Sequence, residues 1–369
     1  MIPVFKPIIS GKELKNLNQC LKDKWFSSGG KFNLELEKKF SKLTNRKFSS
    51  TVSNGTVALE LALRSLNIKP GSEVIVPSFT IISPILAIIR NNLKPILVDS
   101  ESKNWSMCAD DIKRKINKKT KAIIVVHTYG FPADMDKIIK LKKKFNLYLI
   151  EDAAEMHGQT YKKKPCGSFG EISTFSLYSN KFISCGEGGV ICTDDKKIKR
   201  RIDTLRNLSF GKLNKFKHTE LGYNFRLSNL QAAVASAQVE NLKKIVKKKR
   251  EIGRAYNSFF EKNKDIKILP YKNKYSINIY WVYGILLNTK KIKDKLVKYL
   301  KKNGIETRDF FVCMHNQPIL KKMNIIKDNN CFFADSLEKK GIYLPSGPDL
   351  EVNDIEFIAN QVINFLKRK

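Results

Sequence analysis

The sequence predicts an α/β protein built around a mostly parallel sheet. From about residue 50 to residue 193, short apolar runs alternate with segments whose apolar residues recur at helical spacing. The chain has 369 residues, of which 42% are hydrophobic. That length is enough for about two domains with a sizeable core, so a largely disordered chain is excluded.

Seven apolar runs in this region are predicted strands. They are residues 48–52, 73–77, 94–99, 122–127, 147–152, 173–177 and 189–193, and the helical patterns between them are 56–66, 109–116 and 135–145. Ligands of such sheets bind beyond the carboxyl ends of the strands, so polar residues at those ends are the first candidates for a functional site.

A long helical pattern covers residues 228–262, with Ser228 as its expected N-cap. A strand is predicted at 279–287 and a helix at 292–304, which ends at Gly304. We therefore expect a large domain over residues 1–245 and a smaller C-terminal α/β domain over residues 246–369.

Several function classes are disfavoured by composition. No run approaches the roughly 20 apolar residues of a membrane span, and the N-terminus lacks the pattern of a signal peptide. The seven cysteines form no C-x-x-C pair, so neither a disulfide framework nor a metal site is predicted. A cytoplasmic location is expected.

The net charge of +34, from 69 Lys and Arg against 35 Asp and Glu, raises the alternative of a binder of nucleic acid or anionic membranes. The basic residues, however, are mostly lysines spread over helical patterns that keep their apolar stripe. We expect solvated faces, with neither nucleic acid nor membrane as a partner.

Three strand-end groups offer chemistry. Ser53, Asn54, Gly55 and Thr56 lie between a strand and a helix, where free N–H groups bind anions, although taken alone this segment fits an ordinary turn with Thr56 as cap better. Asp152 ends a strand and is either a partner for a cationic nitrogen or a helix cap. His127 also ends a strand, and a lone histidine is more often structural.

The segment 175–193 is the densest in candidate residues. Lys181 lies between two strands in a glycine-rich, partly apolar setting, where a lowered pKa would make a nucleophilic amine. By number alone, Lys181 is one solvated lysine among many. The context is what singles it out, because an amine, the acid Asp152 and an anion site at 53–56 with Ser176 are what pyridoxal 5'-phosphate (PLP) requires.

These motifs resemble the DegT/DnrJ/StrS family of PLP-dependent nucleotide-sugar aminotransferases. The resemblance runs from residue 26 to residue 347 through SNGT, V-H-x-Y-G, EDAAEMHG, FS-x-x-x-NK, GEGG and G-x-N-x-R-x-x-N-x-QAA. It implies the fold type I (aspartate aminotransferase-like) architecture, with a seven-stranded sheet in the large domain, and a homodimer with shared active sites.

The resemblance also implies residue roles. Lys181 would form the Schiff base and carry the proton, Asp152 would keep the pyridine nitrogen protonated, and Glu155 would face the ring hydroxyl. The remaining cofactor residues would hold the phosphate or the ring: Asn54, Gly55, Thr56, Ser176, Asn224 from the other subunit, and Ile81, where the family usually has a stacking aromatic residue.

The implied reaction moves an amino group from L-glutamate to a keto sugar nucleotide. The segment 306–318 resembles members that aminate carbon 4, and the whole chain is most similar to members that act on GDP-4-keto-6-deoxymannose. UDP- or dTDP-linked sugars, or carbon 3, remain alternatives, as does a non-catalytic basic binding protein on the same fold. Predicted substrate-side residues are Phe26, Ser27, Ser28, Arg226, Tyr283 and His315, the last with an alternative structural role.

Overall fold

The computed structural model describes residues 1–211, 213–326 and 330–368, and its architecture is α/β. The strands of the N-terminal part are β1 (Phe48–Val52), β2 (Glu73–Pro77), β3 (Lys94–Val98), β4 (Thr120–Val126), β5 (Tyr148–Asp152), β6 (Thr160–Tyr161), β7 (Lys164–Pro165), β8 (Ile172–Ser176) and β9 (Gly189–Thr193). The helices are α1 (Lys12–Lys22), α2 (Lys31–Thr44), α3 (Gly55–Ser65), α4 (Ser83–Arg90), α5 (Ala109–Lys115), α6 (Met135–Lys144), α7 (Lys196–Arg206) and α8 (Asn229–Phe260).

Seven of these strands form one sheet in the order β1-β9-β8-β5-β4-β2-β3. The pairs from β8 through β5, β4 and β2 to β3 are parallel, whereas β9 runs antiparallel to both β8 and β1. The prediction of a mostly parallel seven-stranded sheet is confirmed, and each of the seven strands predicted between residues 48 and 193 coincides with an observed strand to within two residues at either end. Because β4, β5 and β8 run in the same direction, Val126, Asp152 and Ser176 end at one edge of the sheet.

The C-terminal part forms a smaller antiparallel sheet in the order β10-β11-β13-β12. Its elements are β10 (Ile266–Ile268), β11 (Tyr283–Leu287), α9 (Lys290–Lys302), β12 (Arg308–Asp309), a 3-10 turn (Met314–Asn316), α10 (Pro318–Lys322), α11 (Phe332–Lys340), β13 (Gly341–Leu344) and α12 (Val352–Lys367). Helix α8 connects the two parts, and its start at Ser228 is fixed by a capping box with Gln231.

Two hydrophobic cores meet along α8. Val246 packs in the core of the large sheet, whereas Ile252, Tyr256 and Phe260 pack in the core of the small sheet. The domain boundary at residue 246 stays a prediction. The N-terminus lies against the C-terminal part, because Ile2 donates its N–H to the Gly304 carbonyl at 2.7 Å.

None of the helices in the described part of the chain is both long and apolar enough to cross a membrane.

Candidate active site

A cavity of about 580 Å³ lies at the carboxyl ends of the parallel strands. It is lined from the sheet side by eight residues that the sequence predicted for the cofactor: Asn54, Gly55, Thr56, Ile81, Asp152, Glu155, Ser176 and Lys181. The C-terminal part closes it with Trp281, Arg308, Phe311 and Tyr343. The structure therefore brings an amine, two carboxyl groups and a helix N-terminus together in one space.

Lys181 points its amine into this cavity, 3.8 Å from the centre of the Trp281 ring. The Trp281 indole is itself fixed, because its Nε1 donates to the Asn180 carbonyl at 3.0 Å. Loss of solvation lowers the pKa of Lys181, while the nearby Glu155 and Asp152 carboxyl groups oppose the shift. A lowered pKa leaves more of the amine neutral, which is the form that attacks a carbonyl.

Asp152 is buried at the end of β5. Burial raises its pKa to about 6, and this shift is limited by the Ala154 N–H at 3.2 Å and by the charge of Lys181. A cationic partner strongly stabilises the ionised form of such a buried carboxyl group, because it replaces the solvation that burial removed.

His127 is held by two contacts on either side of its ring. Nδ1 accepts the Ala133 N–H at 3.1 Å, so the proton of the neutral ring lies on Nε2, which donates to Glu151 Oε1 at 3.0 Å. Glu151 is fully buried and also accepts the Phe169 N–H at 3.0 Å. Glu151 thus has a structural role: it fixes His127, which lines the cavity.

Glu155 is also buried, and its Oε2 accepts the Tyr129 N–H at 2.7 Å. Burial raises the pKa of Glu155, and the charge of Lys181 opposes the shift. Glu155 and Lys181 are therefore linked, because a proton on Lys181 disfavours a proton on Glu155 and the reverse, so the two groups titrate as a pair.

The opposite end of the cavity is built for an anion. Helix α3 begins at Gly55, and Asn54 Oδ1 caps it by accepting the Val57 N–H at 3.0 Å. A side chain at Gly55 would bring its Cβ within 2.9 Å of Ser176 Cβ, so only glycine leaves this space open. The Thr56 and Ser83 hydroxyls are bonded to each other at 2.7 Å beside the helix N-terminus, which binds anions through its free N–H groups.

Three buried polar atoms on the cavity wall lack a hydrogen-bond partner: Thr80 Oγ1, Thr174 Oγ1 and Asn180 Oδ1. Buried polar groups are nearly always paired, so orphans gathered around one cavity indicate a polar ligand that completes them. Together with the space left open at Gly55, the buried Asp152 carboxyl group and the Lys181 amine, these atoms form a set of polar groups that fits PLP.

Ile81 lies on the cavity wall with 53% of its surface exposed. No other residue in the loop after β2 places an aromatic ring in the cavity, since Phe79 is fully buried behind it against Tyr129 and Phe310. The predicted loss of an aromatic stacking partner at this position stays a prediction.

The structure corrects two substrate-side predictions. Tyr283 is buried in the small core, where its ring lies 4.5 Å from that of Tyr256 and its hydroxyl donates to Asn257 Oδ1 at 2.9 Å. His315 is buried outside the cavity, and its Nδ1 is hydrogen-bonded to Ser78 Oγ at 2.6 Å. Neither side chain is accessible to a substrate in the cavity.

The remaining predicted residues lie outside the cavity of this chain. Arg226 Nε donates to Asn224 Oδ1 at 2.9 Å, and Phe26, Ser27 and Ser28 lie in the loop between α1 and α2, with Phe26 48% exposed. Their predicted roles require a second subunit and stay predictions.

Sequence reasoning missed the residues that the C-terminal part contributes, and it missed Thr80, Arg90, Tyr178 and Glu187 on the sheet side. Tyr178, Asn180 and Glu187 lie inside the segment 175–193 that was singled out around Lys181, so their closeness to the amine along the chain was a usable signal. The others carried no local signature.

Comparison with known proteins agrees with this geometry. The model of the DegT/DnrJ/EryC1/StrS aminotransferase family matches residues 7–363. The chain is 39% identical to GDP-perosamine synthase of Escherichia coli O157:H7, covering 100% of this chain and 99% of the relative, and 36% identical to GDP-perosamine synthase of Vibrio cholerae, covering 99% of each. Among solved structures, DesV of S. venezuelae superposes with a TM-score of 0.91 at 27% identity, over 97% of this chain and 95% of that one.

Proposed function

The chain belongs to the DegT/DnrJ/EryC1/StrS aminotransferase family, and from this premise we propose that it aminates carbon 4 of GDP-4-keto-6-deoxymannose with nitrogen from L-glutamate. It is a PLP-dependent aminotransferase. The observation that carries the catalytic assignment is the single cavity that holds the Lys181 amine, the buried Asp152 carboxyl group and the glycine-bounded N-terminus of α3. The likeness to two GDP-perosamine synthases over the whole chain supports the substrate.

Each of the cavity residues has a defined task in this proposal. Gly55, Thr56 and Ser176 would hold the phosphate, and Asp152 would hold the positive charge of the pyridine nitrogen. Lys181 would give its Nζ to the aldehyde and afterwards take and return the proton that moves during amino transfer. When bound, PLP supplies an electron sink and carries the amino group from the donor to the acceptor.

Arg308 is the proposed contact for an anionic substrate group. It lies on the cavity wall with 58% of its side chain exposed, and its nearest carboxylate, Glu306, is 3.5 Å away. An exposed ion pair at that distance contributes little, so the guanidinium can exchange it for a carboxylate or phosphate of the substrate. Arg90 also lines the cavity but is paired with Glu60 at 3.1 Å.

We propose a homodimer in which Asn224 and Arg226 face the partner's cavity. Three large apolar side chains just before them are strongly exposed, with Leu213, Phe216 and Leu221 at 104%, 79% and 90%. Exposed apolar groups gathered on one segment are typical of a surface that another chain covers.

We further propose that the enzyme works in the cytoplasm, consistent with seven free thiols, and that its product enters surface polysaccharide, O-antigen included.

A panel of keto sugar nucleotides with glutamate tests the substrate. We expect kcat/KM for GDP-4-keto-6-deoxymannose to exceed that of UDP- or dTDP-linked 4-keto sugars and of 3-keto sugars by about tenfold or more, because a site that pairs a particular base leaves its polar groups unpaired with another. The amino sugar product is measured by mass spectrometry.

If another sugar is preferred, the substrate proposal is wrong while the aminotransferase assignment stands. If no keto sugar is converted and the protein instead binds polyanions in a strongly salt-dependent way, the enzyme proposal itself is wrong.

Ile81→Tyr is expected to tighten cofactor binding. A ring at this position would face the cofactor ring, and aromatic pairs contribute about 0.5–1.5 kcal/mol beyond their buried area, which corresponds to a roughly 2- to 12-fold lower Kd. The Kd of the cofactor-free protein for PLP is measured by fluorescence titration. Ile319→Tyr is the matched control, since Ile319 is 48% exposed outside the cavity, and an equal Kd in wild type and Ile81→Tyr would contradict the prediction.

A further inference from the structure

A group of metal-binding side chains lies outside the cavity, between the loop after β12 and helix α11. Cys313, His315 and Asp335 place a thiol sulfur, a ring nitrogen and a carboxylate oxygen within 4.8 Å of one another. Cys313 and His315 are buried, at 0% and 4% exposure. Glu338 lies one helical turn after Asp335 on the same face of α11, and its Oε2 accepts the Cys313 N–H at 2.8 Å.

We infer that Cys313, His315 and Asp335 form a site for a divalent metal ion with zinc-like preferences. A thiolate, an imidazole and a carboxylate are protein ligands of Zn²⁺, and Glu338, beside Cys313, would turn toward the ion to complete a tetrahedral site. In a tetrahedral site the sulfur and nitrogen ligands are about 3.5 Å apart, so the side chains close by about 1 Å around the ion.

The orientation of His315 supports this assignment. Its Nδ1 lies 2.6 Å from Ser78 Oγ, and its Nε2 lies 3.0 Å from Asp335 Oδ1. A histidine that binds a metal usually hydrogen-bonds through its other ring nitrogen, which fixes the tautomer and aims the ligand. Without metal, Nε2–H donates to the Asp335 carboxylate and Nδ1 accepts from the Ser78 hydroxyl. With metal bound, the ring proton would move to Nδ1, which then donates to Ser78 Oγ while Nε2 binds the ion.

The charges around the group also favour a cation. Asp335 and Glu338 converge on the amide of Asn316, whose Nδ2 donates to both carboxylates at 2.9 Å. Lys339 is 3.9 Å from Asp335 and 57% exposed, so it screens the two carboxylates weakly. On binding, the Cys313 thiol releases its proton to solvent, and the His315–Asp335 hydrogen bond is replaced by two bonds to the metal.

The site is placed to stiffen the cavity. Phe311, two residues before Cys313, lines the cavity, and Ser78 lies two residues before Thr80, which lines it from the sheet side. The metal would therefore tie α11 to both walls without contacting the substrate itself.

Cobalt titration of the chelator-treated holoenzyme tests the site. Co²⁺ in a tetrahedral thiolate site gives visible d–d bands at longer wavelengths than the cofactor absorbs, and we expect them to saturate at one ion per chain and to vanish when Zn²⁺ is added. Cys313→Ser is expected to weaken binding by tenfold or more and to remove the thiolate charge-transfer band, whereas Cys108→Ser, which changes a half-buried thiol elsewhere, keeps both. Ser78→Ala is expected to weaken binding by about tenfold through His315.

Wild-type protein without these bands, or bands of equal strength in Cys313→Ser, would overturn the inference and leave the group as a hydrogen-bonded cluster. If Cys313→Ser does not fold, Asp335→Asn provides the same comparison through affinity alone. Because the readout is the metal spectrum, a failure of the proposed substrate does not affect it.

Discussion

Lys181→Ala is expected to abolish amino transfer, with kcat reduced by roughly 10⁴-fold or more, because one residue both forms the covalent link and carries the proton. The structure supports this dual task. The amine lies in the cavity with Asp152 and Glu155 as its charged neighbours, and it is the only lysine on the cavity wall in the described ranges. Alanine removes the amine and leaves the two carboxyl groups without a cation, so both become easier to protonate.

The fold is expected to tolerate this change. An ammonium group in a poorly solvated cavity lowers the stability of the folded state, so the melting temperature of Lys181→Ala should match that of the wild type or exceed it. Borohydride reduction followed by peptide mass spectrometry locates the covalent link, and we expect the adduct on Lys181 in the wild type and none in the variant. Lys164→Ala, at an exposed lysine of β7, is the matched control. An adduct on a different lysine, or activity within tenfold of the wild type, would refute the assignment.

The sheet-side half of the cavity was predictable because its residues are tied to strand ends. Asp152 and Ser176 are the last residues of β5 and β8, and Gly55 is the first of α3, so the direction of the strands alone brings them together. Lys181 follows Ser176 by five residues, and this short distance along the chain places its amine near the end of β8. Local pattern and strand direction suffice for these residues.

The other half depends on how the C-terminal part folds back, which no local pattern encodes. Trp281 follows Lys181 by 100 residues and contacts it only because the small sheet packs over the large one. Tyr283 was predicted on the substrate side, within the apolar run 279–287 that was expected to form one continuous strand. The strand begins at Tyr283, and Tyr280 has a φ of 48°, so the alternation of faces expected along the run is broken before it. Trp281 reaches the cavity, whereas Tyr283 enters the core.

Asp152→Asn is expected to lower kcat by about 10³-fold, since leaving a buried charge without its partner costs about 3–5 kcal/mol. Asparagine has the same shape and its oxygen can still accept the Ala154 N–H, so the loop after β5 should keep its place. What the amide lacks is the negative charge that keeps the pyridine nitrogen protonated. Single-turnover rates with glutamate measure the effect directly, and Asp110→Asn, an exposed carboxylate with 80% of its side chain accessible, is the control.

The pH dependence separates a charge effect from a structural one. In the cofactor-free protein, burial raises the pKa of Asp152 to about 6, so below that pH the group becomes neutral and can no longer attract a cationic ring nitrogen. Wild-type affinity for PLP should therefore fall as the pH drops through about 6, by up to tenfold per pH unit. In Asp152→Asn this dependence should be absent and the affinity uniformly low. A variant that keeps the wild-type slope would place the titrating group elsewhere, and a variant with kcat within tenfold of wild type would remove Asp152 from the chemistry altogether.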